Sequence, residues 1–321
     1  MFFHAPILIE SNGYISPTKD NTDIKTIAYF AKHLTYISIF GYSIHQNGSL
    51  SHLDDTLLIQ TAYQNSIKPL MVITNLSKGV FSSNLAHSVL SNATTRQLLI
   101  DNIITVATTK NYAGIHIDFE NISPEDTSFL YRFIISLKKH IQKKGLTLSM
   151  LIDPTQHNYS FYQALDALDF IVIIGDIGGW AASPPSPIAP FNRLKMLLEY
   201  LQFSIPANKI MLLIPLYGYD WPIPFKPEDT RASCLSLLTI NQRIEKQRFT
   251  VHMDYISQSP YFNYFDKQGF SHIVWFENEQ SLLAKCNLIR ELKLKGAGLW
   301  SLSMPLSLHD RLFENLFRAK K

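Results

Sequence analysis

The chain has 321 residues, enough for one large domain or two small ones. Charged residues make up 17%, below the roughly one quarter of ordinary proteins, and aromatics 12%, which predicts a large core with rings left over for a site. A net charge of +3 from scattered Lys and Arg argues against nucleic acid, and no apolar run approaches a membrane span. Cys234 and Cys286 lie far apart and match no metal or redox spacing, so both read as buried thiols, with no metal or cofactor called for. The N-terminal Met-Phe-Phe-His-Ala-Pro stretch has no basic region and no apolar length of signal-peptide type, so synthesis in the cytoplasm is expected.

Along the chain, strand-like apolar runs fall at Ile7–Glu10, Thr35–Phe40, Leu70–Thr74, Gly114–Asp118, Leu146–Ile152, Phe170–Ile174, Ile210–Pro215 and Ala297–Leu302. Most are near-continuous rather than alternating, as in strands covered on both faces of a parallel sheet. Helical periodicity fills the gaps. Asp23–His33 places Ile24, Ile27 and Phe30 on one stripe, and Thr94–Val106 does the same with Leu99, Ile103 and Val106. The span Ser123–Lys144 has Ser123 as N-cap, Pro124 at the first helical position, Glu125 and Asp126 in the first turn, and Gly145 to cap the end. A last helix, Asn278–Lys295, is expected to stop at Gly296.

Strand–helix alternation repeated eight times predicts an α/β fold, a (β/α)₈ barrel occupying residues 1–321 as a single unit. Roughly eighty residues separate the seventh and eighth strands, where one helix needs far fewer. Within them, Phe249–Met253, Tyr261–Phe265 and His272–Phe276 predict a small α+β insertion over 222–277, rising beside the barrel mouth. The four-proline segment Ser183–Pro190 reads as a loop after the sixth strand.

The chemistry concentrates in Tyr112–Glu120. His116, Asp118 and Glu120 share one face of a strand, and Ile115, Ile117 and Phe119 share the other. Three ionisable groups on a buried strand are costly unless something uses them. The C-terminal ends of barrel strands carry the working residues, so Asp118 and Glu120 are expected at the rim.

Gly114-Ile-His-Ile-Asp118-Phe-Glu120 resembles the fourth-strand signature of glycoside hydrolase family 18, Asp-Gly-x-Asp-x-Asp-x-Glu, with its first two acids changed. Leu34-Thr-Tyr-Ile-Ser-Ile-Phe-Gly-Tyr42, Lys209-Ile-Met-Leu-Leu-Ile-Pro-Leu-Tyr-Gly-Tyr-Asp-Trp221, His272-Ile-Val-Trp-Phe-Glu277 and Gly296-Ala-Gly-Leu-Trp300 resemble the spore-cortex-lytic and germination branch of that family. Five such stretches in order and spacing are far more specific than one. Members of that branch often carry LysM modules ahead of the barrel; none is expected here.

The resemblance implies retaining, substrate-assisted cleavage of β-1,4 bonds next to an N-acetylated sugar, in an N-acetylglucosamine-containing polysaccharide such as cortex peptidoglycan, with chitin-type oligomers second, and a spore-associated protein. Glu120 would be the acid and then the base, and Asp118 would hold the substrate acetamide; repulsion from Asp118 would raise the proton affinity of Glu120. Trp300 would form the floor under the sugar, with Tyr217, Tyr219, Trp221 and Tyr42 stacking or hydrogen-bonding around it and Asn75 on the rim.

Three positions depart from the family pattern. Ala113 stands for the first acid. His116 stands for the second, where it could bond Asp118 and make activity pH-dependent. Asp176 aligns where a tyrosine hydroxyl steadies the acetamide oxygen, and a carboxylate can donate there only when protonated. Asp176 also motivates an alternative: a barrel that binds such glycans without cutting them.

Overall fold

Runs such as Leu70–Thr74 and Ile210–Pro215 carry apolar side chains on both faces, so the sheet they form must be covered on both. The computed structural model describes residues 7–155, 163–305 and 316–321, so Met1–Pro6 lies outside the described residues. Strand β1 (Ile7–Ile15) leads to α1 (Thr22–Phe30), β2 (Tyr36–Ser43) to α2 (Thr56–Gln64), and β3 (Lys68–Thr74) to a hairpin of β4 (Leu76–Ser77) and β5 (Val80–Phe81). Helices α3 (Ser83–Ser91) and α4 (Ala93–Thr109) precede β6 (Gly114–Asp118), and α5 (Thr127–Ile141) precedes β7 (Thr147–Ile152) and β8 (Phe170–Ile174). Helix α6 (Phe191–Leu201) then leads to β9 (Ile210–Pro215). A second sheet follows, made of β10 (Tyr217–Ile223), β11 (Ser233–Ser236), β12 (His252–Asp254), β13 (Ser259–Phe265) and β14 (Ser271–Trp275), with α7 (Leu237–Gln247) between β11 and β12. Helix α8 (Glu279–Glu291) returns the chain to β15 (Gly296–Trp300), and β16 (Phe317–Ala319) pairs with β1.

Parallel pairing runs β1-β2-β3-β6-β7-β8-β9-β15 and closes from β15 back to β1. This is the expected (β/α)₈ barrel. Side-chain alternation divides its core into two layers. Ile115 and Ile117 face the helices, whereas Tyr14, Leu70, Val172 and Met211 fill the interior.

Several boundaries differ from the sequence reading for local reasons. Strand β1 continues to Ile15, and the barrel wall is its later half: Glu10–Gly13 pair with β15 and Asn12–Ile15 with β2. Ser11 and Asn12 look like turn residues in sequence, yet both are buried, with Ser11 Oγ donating to His33 O and Asn12 Oδ1 accepting from Ser38 Oγ at 3.0 Å. Helix α8 ends before Gly296, near Lys293, whose φ is 53°. Gly296 instead opens β15, where a Cβ would come within 1.7 Å of Glu10 O. Ser123 holds the N-cap position of a 3-10 turn over Pro124–Asp126, as expected, but its Oγ bonds Ser83 Oγ at 2.8 Å instead of a main-chain N–H of that turn. The second sheet already begins at Tyr217 rather than at 222. Its strands β10 and β14 pair antiparallel, and Ala232 N donates to Ala181 O in the loop after β8. This sheet therefore stands at the C-terminal end of the barrel.

Tyr42 is the largest departure. The β2–β3 ladder gains one extra residue between Ile39 and Tyr42, where Gly41 takes φ 147°. One extra residue turns the next side chain to the opposite face. Tyr42 thus points outward into the helix layer, where its hydroxyl donates to Asp55 Oδ2 at 2.5 Å. Tyr112 O–H and Lys110 Nζ, the latter at 2.6 Å, donate to the same buried carboxylate. Tyr42 is a structural anchor and does not reach the barrel mouth.

Asp55→Ala should lower the unfolding free energy by about 3 kcal/mol, because it leaves the Lys110 ammonium and two phenols without their shared acceptor. Urea unfolding followed by circular dichroism measures this; an unchanged midpoint would show that the network contributes nothing.

Candidate active site

At the C-terminal mouth a cavity of about 270 Å³ is lined by Phe81, Asp118, Glu120, Asp153, Asp176 and Trp300, among others. Four of these are acids, and among the described residues no Lys, Arg or His lines it. Alternation along β6 turns Asp118 inward, and the chain then leaves the strand to bring half-buried Glu120 to the same opening.

The acids differ in environment. Asp118 is 1% exposed, and its Oδ1 has no hydrogen-bond partner among the described residues. Burial, then the charge of Glu120, pushes its carboxyl well above the usual range. Glu120 is raised to about 7, first by burial and then by the charges of Asp153 and Asp176. Asp118 and Glu120 repel each other as well, which adds to the rise of the Asp118 carboxyl. Asp118 is the more deeply buried of the two, so its carboxyl is the harder to ionise.

His116 lies below this pair, fully buried, with Nε2 at 2.9 Å from Tyr14 O–H and Nδ1 at 2.8 Å from Ser149 Oγ. Both ring nitrogens are used there, so it makes no bond to Asp118. Burial depresses its pKa to about 3. It stays neutral wherever the protein works near neutrality, which removes it as the expected pH switch.

Asp176, just beyond β8, accepts a hydrogen bond from Tyr217 O–H at 2.6 Å. Burial raises its carboxyl and this bond lowers it, with burial the larger effect. A phenol thus stands next to the place where the sequence lacks one, supplied by β10 rather than β8. Tyr219 packs edge-to-face on Tyr217, with centroids 5.3 Å apart, but is not among the residues around the cavity. Trp221 is fully buried, its Nε1 donating to Ser183 O at 2.9 Å under the proline-rich loop, so it packs the second sheet and touches no open space. Trp300 lines the cavity, held edge-on by Tyr14 at 5.5 Å and Phe40 at 6.0 Å. Asn75 is buried and faces the main chain of Glu120 rather than the cavity.

Asp153 and Phe81 are among the lining residues that the sequence reading missed. Asp153 directly follows the fifth predicted strand, a position that could have marked it. Phe81 comes from the β4–β5 hairpin, for which no sequence signal was read. Among the described residues no group of three or more His, Cys, Asp or Glu could hold a metal ion, and no helix is long and apolar enough to cross a membrane.

A closed parallel barrel with a raised-pKa glutamate and a buried aspartate two residues before it, above a tryptophan, defines a glycosidase of the barrel type. The chain belongs to the glycosyl hydrolases family 18, whose model matches residues 12–304, and its substrate is a glycan. It is similar to the cortical fragment-lytic enzyme of Bacillus anthracis, 32% identical over 327 residues that span 98% of this chain and 76% of that protein. It is also similar to the spore cortex-lytic enzyme SleL of Bacillus cereus, whose crystal structure matches with a TM-score of 0.91 at 31% identity, covering 99% of this chain and 76% of that one. A chitinase from Chromobacterium violaceum, 23% identical with a TM-score of 0.85 over 96% of this chain and 98% of its own, shares the fold.

An acid at Glu120 must carry its proton, so kcat/KM should fall as pH rises through about 7. Asp153→Asn removes a negative neighbour, lowers the proton affinity of Glu120 and should move that limb to lower pH. A pH–rate profile of both proteins tests this; a limb that stays in place would separate Asp153 from the acid.

Proposed function

We propose that the chain hydrolyses β-1,4 bonds next to N-acetylglucosamine in spore-cortex peptidoglycan, by a retaining mechanism in which the substrate assists. Glu120 protonates the glycosidic oxygen as the bond from that oxygen to the anomeric carbon breaks, while the substrate's own acetamide oxygen attacks that carbon. Water then attacks the same carbon from the side of the departed group and gives its proton to Glu120, and the acetamide is restored. Asp118 accepts the acetamide N–H through its unpartnered Oδ1, an acceptor whether or not the carboxyl is protonated. Trp300 supports the sugar ring, and Tyr217 O–H, next to Asp176, is the donor closest in kind to the missing phenol.

The observation that carries this reading is the pairing of a glutamate raised to about 7 with a buried aspartate whose oxygen is free to accept. The choice of polymer is supported by the names of the relatives, which are cortical fragment-lytic and spore cortex-lytic enzymes. On this reading the enzyme is made in the cytoplasm and works at the spore cortex.

Glu120→Gln keeps the shape and removes the transferable proton, so it should abolish release of new reducing ends from cortex fragments while leaving their binding unchanged. Turnover retained in that variant would move the acid to another residue.

A further inference from the structure

The β3–β6 ladder ends at the pair Thr74 and Asp118. Glu120 lies past that last rung, where its main-chain N–H and C=O have no strand to join. We propose that Asn75 is a positioning residue for the acid, clamping the main chain of Glu120 and so setting where its carboxyl stands over the cavity. Asn75 Nδ2 donates to Glu120 O at 2.8 Å, and Asn75 Oδ1 accepts from Glu120 N–H at 3.0 Å. The amide thus replaces one rung of sheet, supplying a donor and an acceptor in one plane as a peptide unit does. Asn75 is itself 0% exposed and lies just past the end of a barrel strand, so it cannot drift.

A third bond widens its reach. Asn75 Nδ2 also donates to Ser82 O at 3.2 Å, and Asn75 O accepts from Ser82 N–H at 3.1 Å. Ser82 follows Phe81, which lines the cavity with the acids. One side chain therefore ties the hairpin wall of the cavity to the segment that carries the acid. Few other residues fit. Serine is too short to span both groups, glutamine is longer by a methylene, and an ionised aspartate cannot donate.

The inference rests on the reading of Glu120 as the acid. Its test is steady-state kinetics on soluble N-acetylglucosamine-containing cortex fragments, with wild type, Asn75→Ala, Asn75→Asp and Glu120→Gln, each checked for folding by circular dichroism. A misplacement of the acid by about 1 Å can cost roughly 100-fold, so Asn75→Ala should lose about that factor in kcat with KM within about threefold. Asn75→Asp is isosteric and carries the test if the alanine variant does not fold. Its carboxyl can donate to Glu120 O only when protonated, so its activity relative to wild type should rise as pH falls. The acids facing Glu120, which are Asp118, Asp153 and Asp176, are present in both proteins, so the ratio isolates what the carboxyl at position 75 changes. A wild-type kcat in folded Asn75→Ala, a loss confined to KM, or a ratio for Asn75→Asp that is flat with pH would each overturn the clamp. Full turnover by Glu120→Gln would overturn the clamp and the acid assignment together. An inert Glu120→Gln beside a fully active Asn75→Ala would remove the clamp alone.

Discussion

A closed parallel sheet meets solvent on neither face, so a polar side chain that it turns inward finds its partner inside the barrel or goes without one. Ser38 meets Asn12, Tyr14 meets His116, and His116 meets Ser149, all buried. These contacts hold the floor beneath the cavity and use up both nitrogens of His116. Asp118 sits one layer higher, at the point where the interior opens, and one of its oxygens is left over. The unused acceptor is thus a consequence of how the lower layer is satisfied.

That constraint also orders the electrostatics. Asp118, deepest of the acids, is pushed toward its neutral form by burial. Glu120, half-buried at the same opening, is raised first by burial and then by Asp153 and Asp176 at the ends of two later strands. Depth thus separates Asp118, at the end of β6, from Glu120, two residues beyond it, into an acceptor and a proton carrier. His116 is excluded from this exchange because protonating it would place an unpaired cation in the dry interior.

The working groups mostly lie just beyond the strands, where the ladder no longer dictates direction. Glu120 is held there by the side-chain amide of Asn75, and Asp176 by the Tyr217 hydroxyl from the next strand segment. The second sheet reaches Asp176 through Tyr217, and it docks on the loop after β8, with Trp221 sealed under the Ser183 segment. Tyr42 and Trp221 were both candidates for sugar contact, and both are consumed by structure: one by a bulge, the other by a covering loop.

The amino-acid sequence by itself determined the barrel and the Asp118–Glu120 pair. Runs apolar on both faces have to be covered on both sides, and alternation by two is a local rule that holds for Gly114–Asp118 whatever surrounds it. It could not show that Asp153 and Asp176 also act on Glu120, since charge interaction depends on depth and on which strand ends converge. Nor could it show that Asn75 faces a main chain instead of a sugar, or that one extra residue near Gly41 would turn Tyr42 outward. Those outcomes were decided by tertiary structure, because each arises from the register between strands that lie far apart in the chain and meet only when the sheet closes.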